Sequence, residues 1–418
     1  LNPDLLDRLR NPPSSVVNID DSVVQFSIKM YLTTCEASQK IYESTCRHLC
    51  DHFGIEMLSY HNVKNLVADL TGIYPIEVDM CINSCIAYAG AFIDNDSCHE
   101  CHHPRYDPAQ STPEKRVPYR RFCTFPIGPQ LQALVRSPEG ADVLEWRQTR
   151  TKQLMELLSL PDSSLDEYDD ILCGDAYLDA VKSGQINDDD FVLMFSADGA
   201  QLYKNKASDF WIYIWLVIDH PPDKRYKKRH ILPGAIIPGP NKPKNLDSFT
   251  FTGLHHLSAL QDEGLAIWNA RTQAVTLSYP FLFLALADAP GMAALNGLVG
   301  TQGQYGCRIY CGQKGRRKTN GKRYYPVRLK PHAAPPGSDH PDLPLNPPAP
   351  SREDYERNLI ILKSSVSTAQ YKENRLATGI CKPTIFSGLR RSLGVPGLFG
   401  LDIMHLPALN IPDLFLPL

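Results

Sequence analysis

The sequence has no apolar run long enough to cross a lipid bilayer. Its longest runs, Trp211 to Ile218 and Phe281 to Ala287, fall far short of the roughly 20 apolar residues that a membrane-spanning helix requires. The composition, 43% hydrophobic and 21% charged, is rich enough for sizeable cores and excludes global disorder. At about 150 residues per domain, the 418 residues allow two or three domains. We therefore expect a folded protein that is neither secreted nor integral to a membrane.

An excess of basic residues is also lacking. The 43 Lys and Arg against 46 Asp and Glu give a net charge of −3, which excludes a uniformly basic, histone-like protein. A nucleic-acid partner would therefore have to be held by local basic patches. Two segments fit, Lys224 to His230 and Gly312 to Pro331. Their candidate DNA-binding residues are Lys224, Arg225, Lys227, Lys228, Arg229, Arg316, Arg317, Lys318, Lys322 and Arg323. The alternative is an ordinary solvated surface, which most charge runs form.

The 12 cysteines are too sparse for a disulfide scaffold, and most of them lie in close-spaced pairs. Such pairs favour metal binding in a reducing compartment. Cys81-x3-Cys85 and Cys98-x2-Cys101 have the spacing of a tetrahedral structural zinc site, in which each tight turn supplies two thiolates. Free buried cysteines are the alternative. The sequence therefore predicts a Zn²⁺ site in this segment.

Residues 190 to 300 have the pattern of an α/β domain. The predicted elements are strands from Phe191 to Ser196, Trp211 to Ile218, His230 to Ile237 and Phe281 to Ala287, with a helix from Leu246 to Ile267 before the last strand. Asp198 lies on or just after the first strand, and Asp288 follows the fourth. Each aspartate taken alone is more often a turn or helix-capping residue, and Asp198-Gly199 is a common turn dipeptide.

Three strands, a helix and a fourth strand are how an RNase H-like domain begins. In that architecture the ends of the first and fourth strands meet at one point of the sheet. Two carboxylates there would repel each other unless divalent cations bind between them, and hard oxygen ligands suit Mg²⁺ or Mn²⁺. Two such ions support in-line phosphoryl transfer. We therefore expect an α/β protein with an RNase H-like catalytic core, a mixed sheet with flanking helices, plus helical and zinc-binding accessory segments.

The stretches Leu193 to Tyr203, His230 to Asn245 and Ala287 to Met292 resemble the transposase of CACTA (En/Spm-like) DNA transposons, in a fungal-type form. The resemblance runs from about Tyr60 onward and includes the cysteine pairs. It implies a nuclear DDE transposase that forms a homo-oligomer and binds transposon ends and target DNA, with Asp198 and Asp288 as the first and second acids. The implied reaction is hydrolysis at the transposon end, then attack of the freed 3′ hydroxyl on target DNA.

The same resemblance singles out two further groups of residues. Family members carry a cysteine pair and a histidine pair after the second acid, which here are Cys307-x3-Cys311 and His332-x7-His340. Two intervening residues between the cysteines are usual there, and this chain has three. An Asp-x-x-His element precedes the catalytic glutamate in many such enzymes, and Asp402 and His405 match it. Exposed loop histidines and a capping aspartate are the alternatives.

The expected organisation is a helical lead-in over residues 1–75, a zinc-binding module over 76–125, an acidic connecting segment over 126–189 and the transposase core over 190–418, with a Cys/His insertion at about 300–345. The start at Leu1 and the tail to Leu418 suggest a fragment whose third acid lies beyond the end, so that it binds DNA without cleaving it. The rival hypotheses are an inactive DNA-binding remnant or domesticated derivative, and a nuclease of the same fold.

Overall fold

The computed structural model describes residues 3–161, 164–201, 209–317, 324–325, 342 and 350–400. In these ranges the helices are α1 (Pro3–Arg10), α2 (Ser22–Thr33), α3 (Gln39–Phe53), α4 (Tyr60–Thr71), α5 (Ile127–Leu134), α6 (Pro138–Leu144), α7 (Trp146–Leu158), α8 (Asp175–Lys182), α9 (Pro222–Arg225), α10 (Leu246–Glu263), α11 (Ala289–Leu295), α12 (Arg352–Lys363) and α13 (Thr368–Thr378). The strands are β1 (Ile76–Met80), β2 (Arg120–Thr124), β3 (Val192–Gln201), β4 (Asp209–Val217), β5 (Leu232–Pro238), β6 (Leu265–Asn269), β7 (Ala274–Ser278), β8 (Phe281–Ala287), β9 (Arg316–Arg317) and β10 (Tyr324–Tyr325).

A six-stranded mixed sheet organises the chain, with the strand order β1-β2-β5-β4-β3-β8. β3 and β8 are parallel, and the other neighbouring pairs are antiparallel. β4 thus runs back from β3, β5 returns, and α10 leads the chain toward β8 on the far side of β3. The four strands predicted from the apolar runs are confirmed, and the sheet brings the first and fourth of them side by side.

Helices cover both faces of the sheet, which explains why the central strands are almost continuously apolar. On one face, Phe195 and Trp215 pack in a core with Phe249 of α10 and Leu131 of α5. On the other face, buried residues of β3, β4 and β8 pack against α7 and α8; this core includes Val192, Met194, Leu216, Phe283, Leu154 and Tyr177. Alternate residues of β3 therefore point to opposite cores, as strand geometry requires.

The predicted helix from Leu246 to Ile267 ends earlier than expected. The Asn245 side chain accepts a hydrogen bond from Ser248 N and caps α10 at its start. At the other end Gly264 adopts a φ of 81° and stops the helix after Glu263. Leu265 begins β6, which forms a two-stranded hairpin sheet with β7. The spacing of the leucines predicts a helix that runs on into the residues of β6. A buried strand and the buried end of a helix are both apolar, so the pattern does not separate them.

The segment before β3 contributes more than a connection. The acidic segment over residues 126–189 is predicted to be a connection, yet its residues Leu172, Tyr177 and Leu178 are buried under the sheet. Asp190 is also buried, and its carboxylate accepts hydrogen bonds from Asn187 N and Tyr279 N. Asp166, Glu167, Asp175 and Asp179 are exposed on the outer side of the segment, and its apolar side completes the second core.

The two ends of the described chain flank this body. The helical pattern predicted at the start is confirmed by α1 to α4, where Tyr42, Cys46 and Val63 form a small core of their own. Between Ser351 and Gly379 the chain forms two helices, α12 and α13. At the other end, the backbone up to Gly400 lies along the outer edge of β8, with Gly400 N donating to Ala285 O at 3.2 Å.

Candidate active site and cysteine cluster

Asp198 and Asp288 lie on neighbouring parallel strands at the same end of the sheet. The last registered pair of β3 and β8 is Ala197 with Ala287, and each aspartate is the next residue of its strand. Neighbouring strands are about 4.8 Å apart. The pairing therefore brings together two acids that are 90 positions apart in the sequence.

The two carboxylates lie at one end of the sheet, one strand apart. Ala197 belongs to the core under α10, so Asp198, the next residue of β3, points to the opposite face. Asp288 directly follows β8 and is the N-cap residue of α11. Asp198 is exposed and Asp288 is half-buried. The register of β3 and β8 therefore places the two acids side by side at this end of the sheet.

Local hydrogen bonds orient each carboxylate. Asp198 pairs with Ile212 within β3 and β4, so it is a strand residue, and the turn expected from Asp198-Gly199 is absent at this position. Its Oδ1 accepts from Gly199 N at 2.7 Å. Asp288 caps α11, with Oδ1 accepting from Gly291 N at 2.7 Å. The capping role expected as the alternative for Asp288 is thus real, and it fixes the carboxylate at the strand end.

Within the described residues, the four predicted cysteines make the only group of three or more acidic, histidine or cysteine side chains close enough to share one metal ion. No third such residue of the described ranges therefore joins Asp198 and Asp288. The predicted residues Asp402 and His405 lie outside the described residues.

Cys81, Cys85, Cys98 and Cys101 converge as the sequence spacing predicts. Their sulfur atoms all lie within 4.8 Å of one another, and Cys81 Sγ is 3.5 Å from Cys101 Sγ. A tetrahedral zinc ion with Zn–S bonds of about 2.3 Å separates its sulfurs by about 3.8 Å. Three of the cysteines are buried and Cys101 is partly exposed. This buried four-cysteine cluster can hold a zinc ion.

Two tight turns present these thiols. Ser84, just before Cys85, has a φ of 58°, and His102, just after Cys101, has a φ of 60°. Burial opposes a thiolate at Cys101, but hydrogen bonds from the Asn83 side chain and the His103 backbone lower its pKa to about 6. Burial raises the pKa of Cys81 to about 11. Hydrogen bonds therefore favour the thiolate at Cys101, and a bound cation would favour deprotonation of the other three thiols.

The second predicted metal site is described only in part. The hydrogen bond that Cys311 offers to Cys307 lowers the pKa of Cys307 to about 6. The two thiols border a cavity of about 200 Å³ with Tyr305, Tyr310 and Asn358. His332 and His340 lie outside the described residues.

The first basic segment does not lie near the acids. β4 ends at Val217, which pairs with Leu193 near the start of β3. The segment from Lys224 to His230 follows this end, and Asp198 is about 17 Å farther along β3. Because β4 is antiparallel to β3, this segment lies at the end of the sheet opposite to the acid pair.

One of its predicted DNA-binding residues is structural. Arg225 is buried, and its guanidinium donates to Asp170 Oδ2 at 3.0 Å and to the Ile218 and His220 carbonyl oxygens. It cannot contact DNA without leaving this site. Lys228 forms an exposed ion pair with Glu36 at 2.6 Å. Lys224 is half-buried, and Lys227 and Arg229 are exposed.

The second basic segment is attached to the acid end of the sheet. Gly315 N donates to Gln304 O, and Tyr324 N donates to Gln302 O. The loop that accepts these bonds borders a cavity of about 430 Å³ with Pro290 at the start of α11, two residues after Asp288. Arg317 is exposed and lies over the Tyr324 ring at 5.5 Å.

Other predicted members of this segment contribute differently. Arg316 is buried, so its predicted contact with DNA is not supported by its position. Lys318, Lys322 and Arg323 lie outside the described residues.

Two lysines that sequence reasoning did not assign to DNA binding lie at the acid end. Lys242 and Lys244 are exposed on the segment that follows β5. The signal was present in the sequence, since residues 238–245 contain two lysines and no acid. Two lysines form a weaker pattern than the denser basic runs, so the sequence alone did not single them out as DNA-binding residues.

Comparison with known proteins bears on this arrangement. Residues 178–325 match the sequence model of transposase family tnp2. The match supports the prediction that the chain is a transposase. It covers Asp198, Asp288 and the Cys307–Cys311 pair, whereas the four-cysteine cluster lies before it. A search of curated proteins finds no match.

The described helices are short relative to the thickness of a bilayer, which requires about 20 apolar residues. The longest of them, α10, has 18 residues. None of the described helices combines the length and apolar composition of a membrane-spanning segment.

Proposed function

We propose that this chain is a cut-and-paste DNA transposase of the CACTA type, built on an RNase H-like core within residues 190–418 with a Cys/His insertion at about 300–345. The observation that carries the proposal is the position of Asp198 and Asp288 at the matching ends of the neighbouring parallel strands β3 and β8. The family match over residues 178–325 supports the same function.

The strand arrangement agrees with this fold. β3, β4 and β5 form an antiparallel succession, α10 follows, and β8 returns parallel to β3. An RNase H-like domain requires this order, with its first acid on the first strand and its second after the fourth. The segment up to Gly400 then adds backbone hydrogen bonds to the free edge of β8.

The donor chemistry of the acid pair fits Mg²⁺ or Mn²⁺, since two carboxylates at the exposed end of a sheet supply hard oxygen ligands. When bound, such ions activate the attacking oxygen and stabilise the leaving oxygen of an in-line phosphoryl transfer. The chain contributes orientation: β3 and β8 set the spacing of the two carboxylates, and the hydrogen bonds from Gly199 N and Gly291 N limit their rotation. Asp402 and His405 are assigned to this site on sequence resemblance alone.

We assign Zn²⁺ to Cys81, Cys85, Cys98 and Cys101 as a structural ion, and a second Zn²⁺ to Cys307, Cys311, His332 and His340. The partners of the proposed transposase are transposon-end and target DNA, its place of action is the nucleus, and it acts as a homo-oligomer.

Metal binding tests the acid pair directly. Mn²⁺ binding to the purified chain, followed by electron paramagnetic resonance, should weaken by about tenfold or more in Asp198→Asn and in Asp288→Asn. Asp223→Asn removes an exposed carboxylate at the other end of the sheet and should change nothing. Equal Mn²⁺ affinity in all four proteins would remove the acid pair from the proposed site.

A DNA assay then separates the functions. The chain is incubated with DNA carrying the terminal sequences of its element, in Mg²⁺ and in Mn²⁺. End cleavage with strand joining that Asp198→Asn abolishes supports a transposase. Nicking without joining identifies a nuclease of the same fold, and specific binding without cleavage identifies a DNA-binding derivative.

A further inference from the structure

The segment from Pro238 to Asn245 leaves the sheet at the same end as the acid pair. β5 runs parallel to β3, because both are antiparallel to β4. Ile236 of β5 pairs with Ile212, which in turn pairs with Asp198. The segment therefore begins two strands away from Asp198, at a lateral distance of about 10 Å.

Lys242 is linked to the acid strands through Trp211. Its Nζ lies 4.8 Å from the centre of the Trp211 ring. That ring lies against Gly199, where an added Cβ would be 2.6 Å from it, and 3.7 Å from the equivalent position on Gly291. Gly199 follows Asp198, and Gly291 N donates to Asp288. Lys242 thus lies over a ring that packs against the two glycines beside the acids, on the face of the sheet that carries α10.

The four-cysteine cluster holds this segment in place. Cys85 O accepts hydrogen bonds from Lys244 N at 3.1 Å and from Asn245 N at 3.0 Å. Ser84 Oγ donates to Pro238 O at 3.1 Å. The Asn83 carbonyl oxygen accepts from Asn241 Nδ2 at 3.3 Å. Both ends and the middle of the segment are therefore bound to the first cysteine turn.

The shape of that turn depends on the cysteines. Ser84 has a left-handed backbone, φ 58°, an unfavourable conformation for a residue other than glycine. It lies between Cys81 and Cys85, whose thiols converge on the cluster. A metal ion bound by the four thiols would hold the turn closed, and with it the carbonyl oxygens and hydroxyl that contact residues 238–245.

We propose that residues 238–245 are a DNA-contacting loop, in which Lys242 and Lys244 neutralise backbone phosphates and which the four-cysteine site holds at the acid end of the sheet. The inference rests on the proposed transposase function and adds to it the residues that contact the substrate. It also gives the cysteine cluster a role in binding DNA, transmitted through hydrogen bonds to a neighbouring loop.

The salt dependence of binding to a fluorescein-labelled DNA duplex of random sequence, measured in Ca²⁺, tests the lysines. Each phosphate contact contributes about 0.9 to the slope of log affinity against log salt. Lys242→Gln/Lys244→Gln should lower the slope by about 1 to 2, and Lys242→Arg/Lys244→Arg should restore it. The control, Lys29→Gln/Lys182→Gln, removes two exposed lysines elsewhere. Equal slopes in the glutamine variant and the control would overturn the proposal.

The role of the cysteine turn is tested by combining variants. Cys98→Ser should lose its zinc by mass spectrometry and show the reduced slope, with no further reduction when the two lysine substitutions are added. Ser84→Ala removes the hydrogen bond to Pro238 O while keeping all four thiols, so it remains informative if Cys98→Ser does not fold. It should weaken DNA binding with zinc content unchanged. The cysteine cluster would not act through the loop if the reductions in slope from Cys98→Ser and from the lysine substitutions were strictly additive. The same would follow if Ser84→Ala bound DNA as the wild type does.

The outcomes also distinguish this inference from the function on which it rests. A wild-type chain without salt-dependent DNA binding would refute both. Normal binding that is insensitive to Lys242 and Lys244, together with Mn²⁺ binding that needs Asp198, would refute only the loop.

Discussion

Gly199 has no side chain, and the indole of Trp211 occupies the space that a Cβ would take. An added Cβ would stand 2.6 Å from the ring, well inside van der Waals contact. Trp211 is itself buried and has Lys242 on its ring, so it cannot move aside freely. The glycine therefore allows an aromatic ring to lie on the strand directly beside Asp198.

Gly199→Ala should lower the free energy of unfolding by about 1–3 kcal/mol, because the added methyl group forces Trp211 and β3 apart. Urea unfolding followed by tryptophan fluorescence measures the change. Gly388→Ala is the control, since its added Cβ would meet no heavy atom within 4 Å. Equal stability of the two variants would show that the Trp211 ring can move without cost.

At the scale of elements, α10 and α5 meet through a histidine. Gly128 N, near the start of α5, donates to His256 Nε2 of α10 at 3.2 Å. A ring nitrogen that accepts a hydrogen bond carries no proton, so this contact requires neutral imidazole. Burial acts in the same direction and lowers the pKa of His256 from 6.5 to about 4. The packing of the two helices is therefore sensitive to acid.

The unfolded chain protonates this histidine below pH 6.5, whereas the folded chain resists until about pH 4. Its contribution to stability is therefore complete above pH 6.5 and is lost as the pH falls toward 4. Over that interval His256→Gln should lose less stability than the wild type, by up to about 3 kcal/mol. Urea unfolding at several pH values checks this, with exposed His61→Gln as control. Parallel pH curves for the wild type and His256→Gln would contradict the assignment.

At the scale of the whole molecule, the sheet separates the two basic segments. The segment with Lys227 follows β4 and lies at the start of β3, whereas the segment with Arg317 is attached to the loop beside α11, at the acid end. The second segment therefore lies nearer to Asp198 and Asp288, and we expect it to contribute more to the binding of DNA at the acid pair.

Arg317→Glu should therefore weaken DNA binding and lower the salt slope by about 1 or more, because it replaces a phosphate contact with a repulsion. Lys227→Glu makes the same change in charge on an exposed residue and should leave the slope near the wild-type value. Fluorescence anisotropy in a salt series compares them. A larger effect of Lys227→Glu would place the DNA on the other end of the sheet.

The sequence by itself determined the features that depend on local pattern. Strands covered on both faces must be apolar throughout, so β3, β4, β5 and β8 were visible as short apolar runs. Pairs of thiols that bind one ion lie in tight turns, so the spacing of Cys81, Cys85, Cys98 and Cys101 predicted a zinc site. The positions of Asp198 and Asp288 at strand ends followed from the same runs, and their meeting at one end of the sheet needed only the parallel register of β3 and β8.

Only the tertiary structure decided what depends on distant partners. Arg225 lies in a run of basic residues that is typical of a surface. It is nevertheless buried and donates a hydrogen bond to Asp170, which is 55 positions away. β2 pairs with β5 and so joins the cysteine module to the central sheet. Lys242 acquires its place through Trp211 and the first cysteine turn. Charge and burial at these residues are set by backbone pairings between remote segments, and a local pattern carries no information about which segments will pair.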